Sequence, residues 1–437
     1  MATYETYKDS GIEWIGDIPE HWEVKRLKYI GDSIIGITYN PKEVVQENGT
    51  LVLRSSNIQN GKLSLKDTVY INKEIPERLE TKIGDILICS RNGSRRLIGK
   101  NITIDEKTKG ETFGAFMTIF RTDQYQFISK YFNSQVFSGQ SGLFLTSTIN
   151  QLTINTLNNF YTALPPEVEQ KMIANYLDEK TAEIDKLIEQ KKKLLKLYEK
   201  EKEVIINQAV TKGLNSNVKL KASGIECVGE IPVHWEVKRI RHIAKIFGRI
   251  GYRGYKTTDL VAKEEGAITI SPSNMKKYHM DFDSCTYLSW EKYEESPEIK
   301  IFNEDILFVK TGSTYGKVSF VKNLPEKATI NPQIIVFKEV NCVNEFLYYI
   351  LKSQNIEFQV ESTVVGGTIP TISQAKINNY TFPIPNNDEQ LKIVEYIKTT
   401  TAKVDTKLNK TKKLIALLIE YKTTLISDVV TGKIKVY

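Results

Sequence analysis

The chain carries the same sequence twice. SGIEWIGDIPEHWEVKRLKYI at residues 10–30 returns as SGIECVGEIPVHWEVKRIRHI at residues 223–243, with about fourteen of the twenty-one aligned positions identical. A second pair of similar segments, at residues 164–211 and 384–431, gives the order A-B-A′-B′. A chain of 437 residues exceeds what one hydrophobic core usually supports. We therefore predict two copies of one scaffold.

The segments between the repeats, residues 31–160 and 244–380, differ much more than the repeats do. A shared frame with divergent surfaces is typical of a protein that reads two related but different targets. A net charge of +7 favours nucleic acid only mildly, because many proteins without that function are as basic.

The cysteine pattern and the lack of long apolar runs indicate the cellular compartment of the chain. Its four cysteines are scattered without a C-x-x-C pair, which predicts neither a disulfide framework nor a zinc site and favours a reducing cytoplasm. We expect no membrane span and no secretion signal, because no run of about eighteen apolar residues occurs and the first residues lack the pattern of a leader.

The B segments are predicted to be two long helices. Each is about 45 residues, or roughly 68 Å if straight, and has apolar residues at seven-residue spacing. Prolines precede each run, and Gly213 and Gly432 follow the far ends, as expected of helix boundaries. The predicted coiled-coil seam consists of Leu177, Ile184, Leu187, Leu194, Ile205, Ile397, Val404, Leu414, Leu418 and Leu425.

An apolar helix stripe needs a partner, and the nearest candidate is the duplicate helix. If the repeats are related by a twofold, the helices pair antiparallel and place the two globular units at opposite ends of a rod. The alternative is two ordinary long helices that dock on separate domains. The matched register and equal length of the two runs favour the coiled coil.

The globular segments are predicted to be α+β. Short β-branched and aromatic runs bounded by Gly, Asn and Pro indicate strands, and two aromatic-rich runs indicate helices. The predicted strands are residues 51–58, 85–90, 115–121, 267–275, 305–310, 317–321 and 333–338, and the predicted helices are 127–137 and 345–354.

Catalytic motifs are missing from the sequence. It contains no P-loop, no G-x-S-x-G and no H-E-x-x-H pattern. The repeated pairs His21-Trp22 and His234-Trp235 are best interpreted as packing and hydrogen-bonding elements. Glu304, Asp305 and Lys310 resemble a nuclease metal pattern that the first copy does not reproduce. We predict no catalytic residue and no metal ligand.

The polar loops are more informative. Loops with arginine, lysine, asparagine and small hydroxyls follow the strands at residues 90–100 and 310–317, and others occur at 146–151, 248–256 and 366–374. Such side chains suit base edges and phosphates, although each loop alone could be a solvated turn. The predicted DNA-contacting residues are Arg54, Asn57, Arg91, Asn92, Ser94, Arg95, Arg96, Thr148, Asn150, Gln151, Arg249, Tyr252, Arg253, Lys256, Ser273, Asn274, Lys310, Thr311, Ser313, Thr314, Tyr315, Lys317, Thr368 and Thr371.

Several motifs in order resemble the specificity subunit of Type I restriction-modification enzymes. They are the G-x-I-P-x-H-W opening of each half, the DIL strands with their Gly-rich sequels, the ATINPQ and TIPTIS stretches, and the E-Q-x-x-I entry into each long helix. The resemblance covers nearly the whole chain. It implies target-recognition domains at residues 1–163 and 214–383, and conserved helices at 164–213 and 384–437 that form an antiparallel coiled coil.

The resemblance also implies a division of labour. The chain would read a bipartite site in double-stranded DNA without catalytic activity. Two modification subunits would bind S-adenosylmethionine and methylate adenine, and restriction subunits would use ATP and Mg²⁺ to translocate and cleave DNA. Two other interpretations stay open: a coiled-coil adaptor whose heads bind proteins, and the DNA-binding part of a fused-type modification system. A stiff spacer further predicts that four residues added to each helix move one domain by roughly 6 Å, or about two base-pair steps.

Overall fold

The chain forms two units, and each unit draws on both halves of the sequence. A computed structural model describes residues 2–59, 61–144, 150–249, 251–277, 279–365 and 369–436, with the backbone alone for Leu143, Phe144 and Tyr252. Unit 1 comprises residues 1–193 and 412–437, and unit 2 comprises residues 194–411.

Unit 1 is built on two four-stranded sheets. One has the order β11-β10-β13-β4 and is antiparallel; the other has the order β12-β6-β9-β5, with β12 parallel to β6. Its strands are β1 (Tyr7–Asp9), β2 (Asp17–Pro19), β3 (Glu23–Arg26), β4 (Asp32–Ile35), β5 (Val44–Val45), β6 (Thr50–Leu53), β7 (Ile58–Gln59), β8 (Lys62–Leu63), β9 (Tyr70–Ile71), β10 (Ile86–Cys89), β11 (Asn101–Thr103), β12 (Thr112–Phe113), β13 (Met117–Arg121) and β14 (Tyr161–Leu164). Its short helices are α1 (Tyr125–Tyr131), α2 (Gln135–Phe144) and α3 (Ile154–Asn158).

Two long helices belong to both units: α4 (Glu167–Lys212), and a C-terminal helix, Asn387–Val430. Unit 2 lies between them in sequence and repeats the two-sheet design. Its elements are β15 (Leu220–Ala222), β16 (Glu230–Pro232), β17 (Glu236–Arg239), β18 (Lys245–Gly248), β19 (Leu260–Val261), β20 (Gly266–Ile270), β21 (Thr286–Ser289), α5 (Trp290–Glu294), β22 (Ile306–Val309), β23 (Val318–Phe320), β24 (Ala328–Ile330), β25 (Ile334–Lys338), α6 (Asn344–Leu351), α7 (Gln354–Thr363), α8 (Gln374–Asn378), β26 (Thr381–Ile384) and α9 (Asn387–Val430).

The sheets of unit 2 match those of unit 1. The order β18-β25-β22-β23 corresponds to β4-β13-β10-β11, and β19-β21-β20-β24 corresponds to β5-β9-β6-β12, again with one parallel pair, β20 with β24. The central strands β10 and β22 read ILIC and ILFV, and all four side chains of each are buried. Both faces of these strands are therefore covered, which explains why they are apolar throughout rather than alternating.

Each unit packs one half of each long helix into its core. In unit 1, Ile173 and Leu177 of α4 share a hydrophobic core with Leu425 and Val429 of α9. In unit 2 the roles are exchanged, and the end of α4 packs with the beginning of α9. The two helices are therefore antiparallel neighbours in each unit. The prediction of an α+β fold with two similar units and paired long helices is confirmed.

The helix boundaries follow from local chemistry. Both helices begin shortly after prolines and end before Gly213 and Gly432, whose positive φ values of 73° and 75° suit glycine at a helix C-terminus. A β-carbon on Gly432 would collide with the Pro19 ring.

Sequence patterns located the strands better than the helices inside the units. Five of the seven predicted strands lie where the structure has one over most of the run. The run at 267–275 is a strand only to Ile270, and the run at 51–58 leaves the strand after Leu53 and continues as a 3₁₀ turn, Ser55–Asn57. The predicted helix at 127–137 is two helices, α1 and α2, with a break at Asn133 and Ser134. No helix in the described part of the chain has both the length and the apolar character needed to cross a membrane.

Candidate nucleic-acid interface

A buried asparagine fixes the loop after β6 in unit 1 and the loop after β20 in unit 2, both strands of the mixed sheet, in which strands pair parallel as well as antiparallel. Asn57 donates from Nδ2 to the carbonyls of Ser64, at 3.0 Å, and Asp67, at 2.9 Å, and its Oδ1 accepts from the Arg54 amide at 2.8 Å. Asn274 makes the same three kinds of bond, to Asp281, Ser284 and Ser271.

These two asparagines were predicted to contact DNA, and the structure corrects that role. Their side chains are fully engaged by backbone groups, and Asn57 has no exposed surface while Asn274 has 4%. A buried carboxamide whose bonding capacity is used in this way cannot reach a base edge in this conformation. Both residues are positioning residues that shape the loop.

A lysine supports the same loop from the neighbouring sheet. Lys100 donates from Nζ to the carbonyls of Ser55 and Ile58, the latter at 2.8 Å. Lys317 donates to the Pro272 carbonyl at 3.2 Å. Burial lowers the pKa of Lys100, and burial with the nearby charge of Lys276 lowers the pKa of Lys317. Both amines serve loop carbonyls, so Lys317 is a support for the predicted interface as well as a candidate phosphate contact.

In unit 1 this loop forms one wall of a cleft. The cleft brings together five predicted DNA-contacting residues, Arg54, Arg91, Asn92, Asn150 and Gln151, with Tyr39, Ser55, Gln59, Lys100 and Phe116. Asp67 is the one carboxylate among its lining residues, and it pairs with Arg54 at 2.8 Å. The cleft thus contains cationic, amide and aromatic side chains, which are groups that can contact a nucleic acid, among small and aliphatic residues.

Backbone pairing brings two distant segments together in this cleft. Arg91 forms an isolated β-bridge with Gln151, and the Asn92 amide donates to the Asn150 carbonyl at 3.4 Å. Asn150 in turn donates from Nδ2 to the Gly93 carbonyl at 3.1 Å, and Asn92 donates to Ser55 Oγ at 3.0 Å. The amide side chains of Asn92 and Asn150 therefore hold the cleft together, and Arg91 and Gln151 are left to face its opening.

The other predicted residues of this loop lie outside the cleft lining. Ser94, Arg95 and Arg96 are exposed, and Arg95 donates to the Gly142 carbonyl at 2.9 Å. Thr148 lies outside the residues that the structure describes.

Arg249 in unit 2 is not at the surface. It is 5% exposed, and its guanidinium donates to Thr329 Oγ1 at 3.0 Å and to the carbonyls of Ile330 and Arg253, both at 3.3 Å. Burial lowers the pKa of Arg249. The prediction that Arg249 contacts DNA is therefore corrected: its charge is used to tie its loop to the mixed sheet.

The neighbours of Arg249 are more accessible. Arg253 is half-buried and lies 3.4 Å from Glu298, whereas Lys256 is exposed. The backbone of Tyr252 belongs to a 3₁₀ turn, Gly251–Arg253, and its side chain lies outside what the structure describes. Ser273 is exposed, with its hydroxyl 2.6 Å from that of Ser271.

The loop after β22 repeats the pairing seen in unit 1. Thr311 bridges Thr371, and the Gly312 amide donates to the Pro370 carbonyl at 3.0 Å. Ser313, Thr314 and Thr371 are exposed, Lys310 and Thr311 are half-buried, and Tyr315 packs against the hydrophobic core. Thr368 lies outside the described residues.

The structure also shows the partner of Asp305, a carboxylate in the sequence pattern that resembles a nuclease metal site. Asp305 pairs with Lys338 on β25, as Asp85 pairs with Arg121 on β13 at 2.7 Å. These are matching ion pairs between neighbouring strands. Across the described ranges no group of three or more His, Cys, Asp and Glu side chains could hold a metal ion.

The repeated His-Trp pair binds the beginning of each long helix. In unit 1, Trp22 donates to Glu169 Oε2 at 2.9 Å, and His21 Nε2 lies 2.7 Å from Oε1. In unit 2, Trp235 donates to Glu389 at 3.1 Å, and His234 lies at 2.9 Å.

The seam residues divide by burial. Leu177, Ile184, Ile397, Val404 and Leu425 are buried, and Leu194, Ile205 and Leu418 are half-buried. Leu187 and Leu414 are instead 37% and 39% exposed. The buried residue after Ile184 is Ile188, four positions on, so the heptad assigned from the sequence is shifted by one residue there.

Matching ion pairs flank the centre of the helices. Asp185 pairs with Lys422 at 2.7 Å in unit 1, and Lys202 pairs with Asp405 at 2.6 Å in unit 2. The side chain of Lys202 is buried, and that of Lys422 is half-buried.

Two residues beside the predicted loops were missed. Phe116 and Gln333 each immediately precede a buried strand, β13 and β25, and their carbonyls accept the backbone amides of the loops after β10 and β22. Both fell inside runs predicted as strands. The available signal was their position at the strand beginning, directly opposite a polar loop.

The two units share one frame and differ in the side chains that they expose. Residues 232–416 match the family model described as Type I restriction modification DNA specificity domain. The chain is 25% identical to the Type I restriction enzyme MjaVIII specificity subunit of Methanocaldococcus jannaschii, over 96% of this chain and 94% of that protein. It is 21% identical to the EcoKI specificity subunit of Escherichia coli K12, over 90% and 84% of the two chains.

Solved structures agree on the fold. A chain from a structure of the assembly and conformational transition of the type I R-M system has a TM-score of 0.70, with 14% identity over 95% of this chain and 99% of that one. The HsdS subunit from Thermoanaerobacter tengcongensis has a TM-score of 0.51, with 14% identity over 95% and 98%. The chain is therefore similar, over nearly its whole length, to proteins named as specificity subunits of Type I restriction enzymes.

Proposed function

We propose that this chain is the non-catalytic DNA-recognition subunit of a Type I restriction-modification complex and reads a bipartite site in duplex DNA. One observation carries the proposal. The same frame, with Asn57 and Lys100 in unit 1 and Asn274 and Lys317 in unit 2, presents different exposed side chains in the two units. A conserved support with unlike surfaces is what two different half-sites require.

The chemistry of the unit 1 cleft supports DNA as the target. Arg91 is exposed, and among the described residues no carboxylate pairs with it, so its guanidinium can reach a guanine edge or a phosphate. Lys256 and the hydroxyls of Ser313 and Thr314 are exposed in unit 2, where they can hold phosphates.

The proposal extends to the partners. Two modification subunits would bind S-adenosylmethionine and methylate adenine, and restriction subunits would use ATP and Mg²⁺ to cleave, all in the cytoplasm. The similarity to specificity subunits of Type I restriction enzymes supports this division of labour. This chain itself would bind none of these cofactors.

The test is selection of duplexes from a randomised library by the full-length chain. We expect two short preferred elements at a fixed separation and an affinity that falls steeply with salt, because phosphate contacts release counterions. Binding without sequence preference would contradict the proposal and fit a protein adaptor with incidental DNA affinity.

Single substitutions sharpen this test. Arg91→Ala should weaken one half-site by about 5- to 150-fold, and Lys310→Ala should weaken only the other, as expected for loss of one contact. Arg78→Ala removes the same charge from an exposed position outside the cleft of unit 1 and is the matched control. Loss of both half-sites together in Arg91→Ala would indicate misfolding instead of a lost contact.

A further inference from the structure

Phe116 and Gln333 occupy the same place in their units. Phe116 precedes β13, and Gln333 precedes the corresponding strand β25. Phe116 is 56% exposed although the next residue, Met117, is buried. Single exposed apolar side chains are common on protein surfaces, but Phe116 also lines the cleft of unit 1 and carries Arg91 over its ring.

Phe116 is also held firmly. Its carbonyl accepts three hydrogen bonds of 3.0 Å, from the amides of Ser90 and Arg91 and from the hydroxyl of Ser90. The guanidinium of Arg91 lies over its ring, 5.1 Å from the centroid. The hydrogen bonds fix the backbone at Phe116, and the stacked cation restricts the ring, so that ordering the ring against a ligand costs less conformational entropy.

Gln333 is fixed by different bonds. Its carbonyl accepts from the Lys310 amide at 2.8 Å, and its Oε1 accepts from Asn331 Nδ2 at 3.1 Å. The backbone amide of Gln333 donates to Asn331 Oδ1 at 3.0 Å. The side-chain amide is therefore oriented. Among the described residues Nε2 has no acceptor, and Oε1 keeps a second lone pair.

The two positions differ in the chemistry that they offer a base pair. An aromatic ring makes apolar contact with the 5-methyl group of thymine, and an arginine edge donates to guanine N7 and O6. A glutamine carboxamide can donate to adenine N7 and accept from adenine N6. Thr311, the counterpart of Arg91 in the bridge to the other loop, adds only a small hydroxyl.

We propose that Phe116 and Gln333 are the specificity-determining positions of the two half-sites, and this inference rests on the proposed DNA recognition. Phe116 with Arg91 selects a thymine next to a guanine in one half-site. Gln333 selects an adenine at the equivalent place in the other.

The experiment is library selection by the full chain and by Phe116→Gln. We expect the variant to lose at least fivefold of its thymine preference at one position and to gain adenine there, with the other half-site unchanged. Gln333→Phe should make the reverse change in the other half-site. Deoxyuridine in place of that thymine removes the methyl group, and it should weaken the native chain but not Phe116→Gln.

Two further variants guard the interpretation. Tyr29→Gln is the matched control, because Tyr29 is 72% exposed and has Lys28 over its ring at 4.9 Å but does not line the cleft. It should change no base preference. Phe116→Leu keeps an apolar contact without an aromatic ring, so it should keep the thymine preference and weaken the guanine preference. If Phe116→Gln does not fold, Phe116→Leu tests the inference in its place.

The outcomes separate the two proposals. If the native chain selects two half-sites but Phe116→Gln selects the same bases, this inference is wrong and the proposed function stands. Equal changes in both half-sites would also overturn it. If the native chain selects no sequence, the proposed function fails and this inference fails with it.

Discussion

At the residue scale, the duplicated histidine and tryptophan gain a definite role. The sequence predicted a packing and hydrogen-bonding element, and the structure supplies its partner, a glutamate in the first turn of each long helix. The acceptor could not be identified from sequence because it lies more than a hundred residues away. A carboxylate at a helix N-terminus is also favoured by the helix dipole.

Glu169→Ala should therefore destabilise unit 1. It leaves the indole N–H of Trp22, a buried residue, without its acceptor, and removes a charge-assisted bond, at a cost of about 1–3 kcal/mol. Denaturant unfolding at equilibrium measures the loss. Glu167→Ala is the control, since Glu167 is exposed and, among the residues that the structure describes, pairs only with Lys171 on its own helix. An equal effect of both substitutions would show that the contact with Trp22 does not matter.

The loop residues show where sequence reasoning reached its limit. Composition identified the polar loops after β10 and β22, and the structure pairs each of them with a second polar segment. It could not separate residues that build the loop from residues that face outward, because Asn57, Asn274 and Arg249 have the same chemistry in either role. Burial and hydrogen-bond partners decide between those roles, and both depend on the tertiary fold.

At the element scale, the seven-residue pattern predicted the existence, length and boundaries of the long helices. It did not settle the register near the middle of α4. Leu187 and Ile188 are adjacent apolar residues, and either can continue the stripe from Ile184 by a step of three or four. The structure buries Ile188, as it buries Leu408 in α9. Packing within the unit makes that choice.

Neighbouring substitutions test this register. Ile188→Ala should lower the free energy of unfolding by about 2–4 kcal/mol, because it leaves a cavity in the core of unit 1. Leu187→Ala should cost less than about 1 kcal/mol, since that side chain is already partly in water. Thermal and denaturant unfolding of the two variants measure the difference. A larger loss of unfolding free energy for Leu187→Ala than for Ile188→Ala would mean that Leu187 is the seam residue, as the heptad assigned from the sequence has it.

At the scale of the whole molecule, the two ends of the chain complete unit 1. Ala2 forms a β-bridge with Lys435, whose amide donates to the Ala2 carbonyl at 2.8 Å, and Tyr7 donates to the Gly432 carbonyl at 3.0 Å. In unit 2 the corresponding segments are joined covalently, because the chain runs on from the end of α4 into β15. The order A-B-A′-B′ therefore gives two units that are built from the same kinds of segment. Each unit contains one part of each long helix.

The long helices pass without interruption from one unit into the other, at residues 193–194 in α4 and 411–412 in α9. Seven residues inserted into both helices at these points keep the apolar register and add about 10.5 Å of helix, or roughly three base-pair steps. We expect the preferred distance between the two half-sites to grow by about three base pairs, with the bases of each half-site unchanged. Selection from a library of variable spacers measures this.

The same seven residues inserted after Ser216, in the exposed segment between α4 and β15, lengthen the chain but not the helices and should leave the spacing as it was. An unchanged spacer in the helix variant would mean that the long helices do not set the distance between the half-sites.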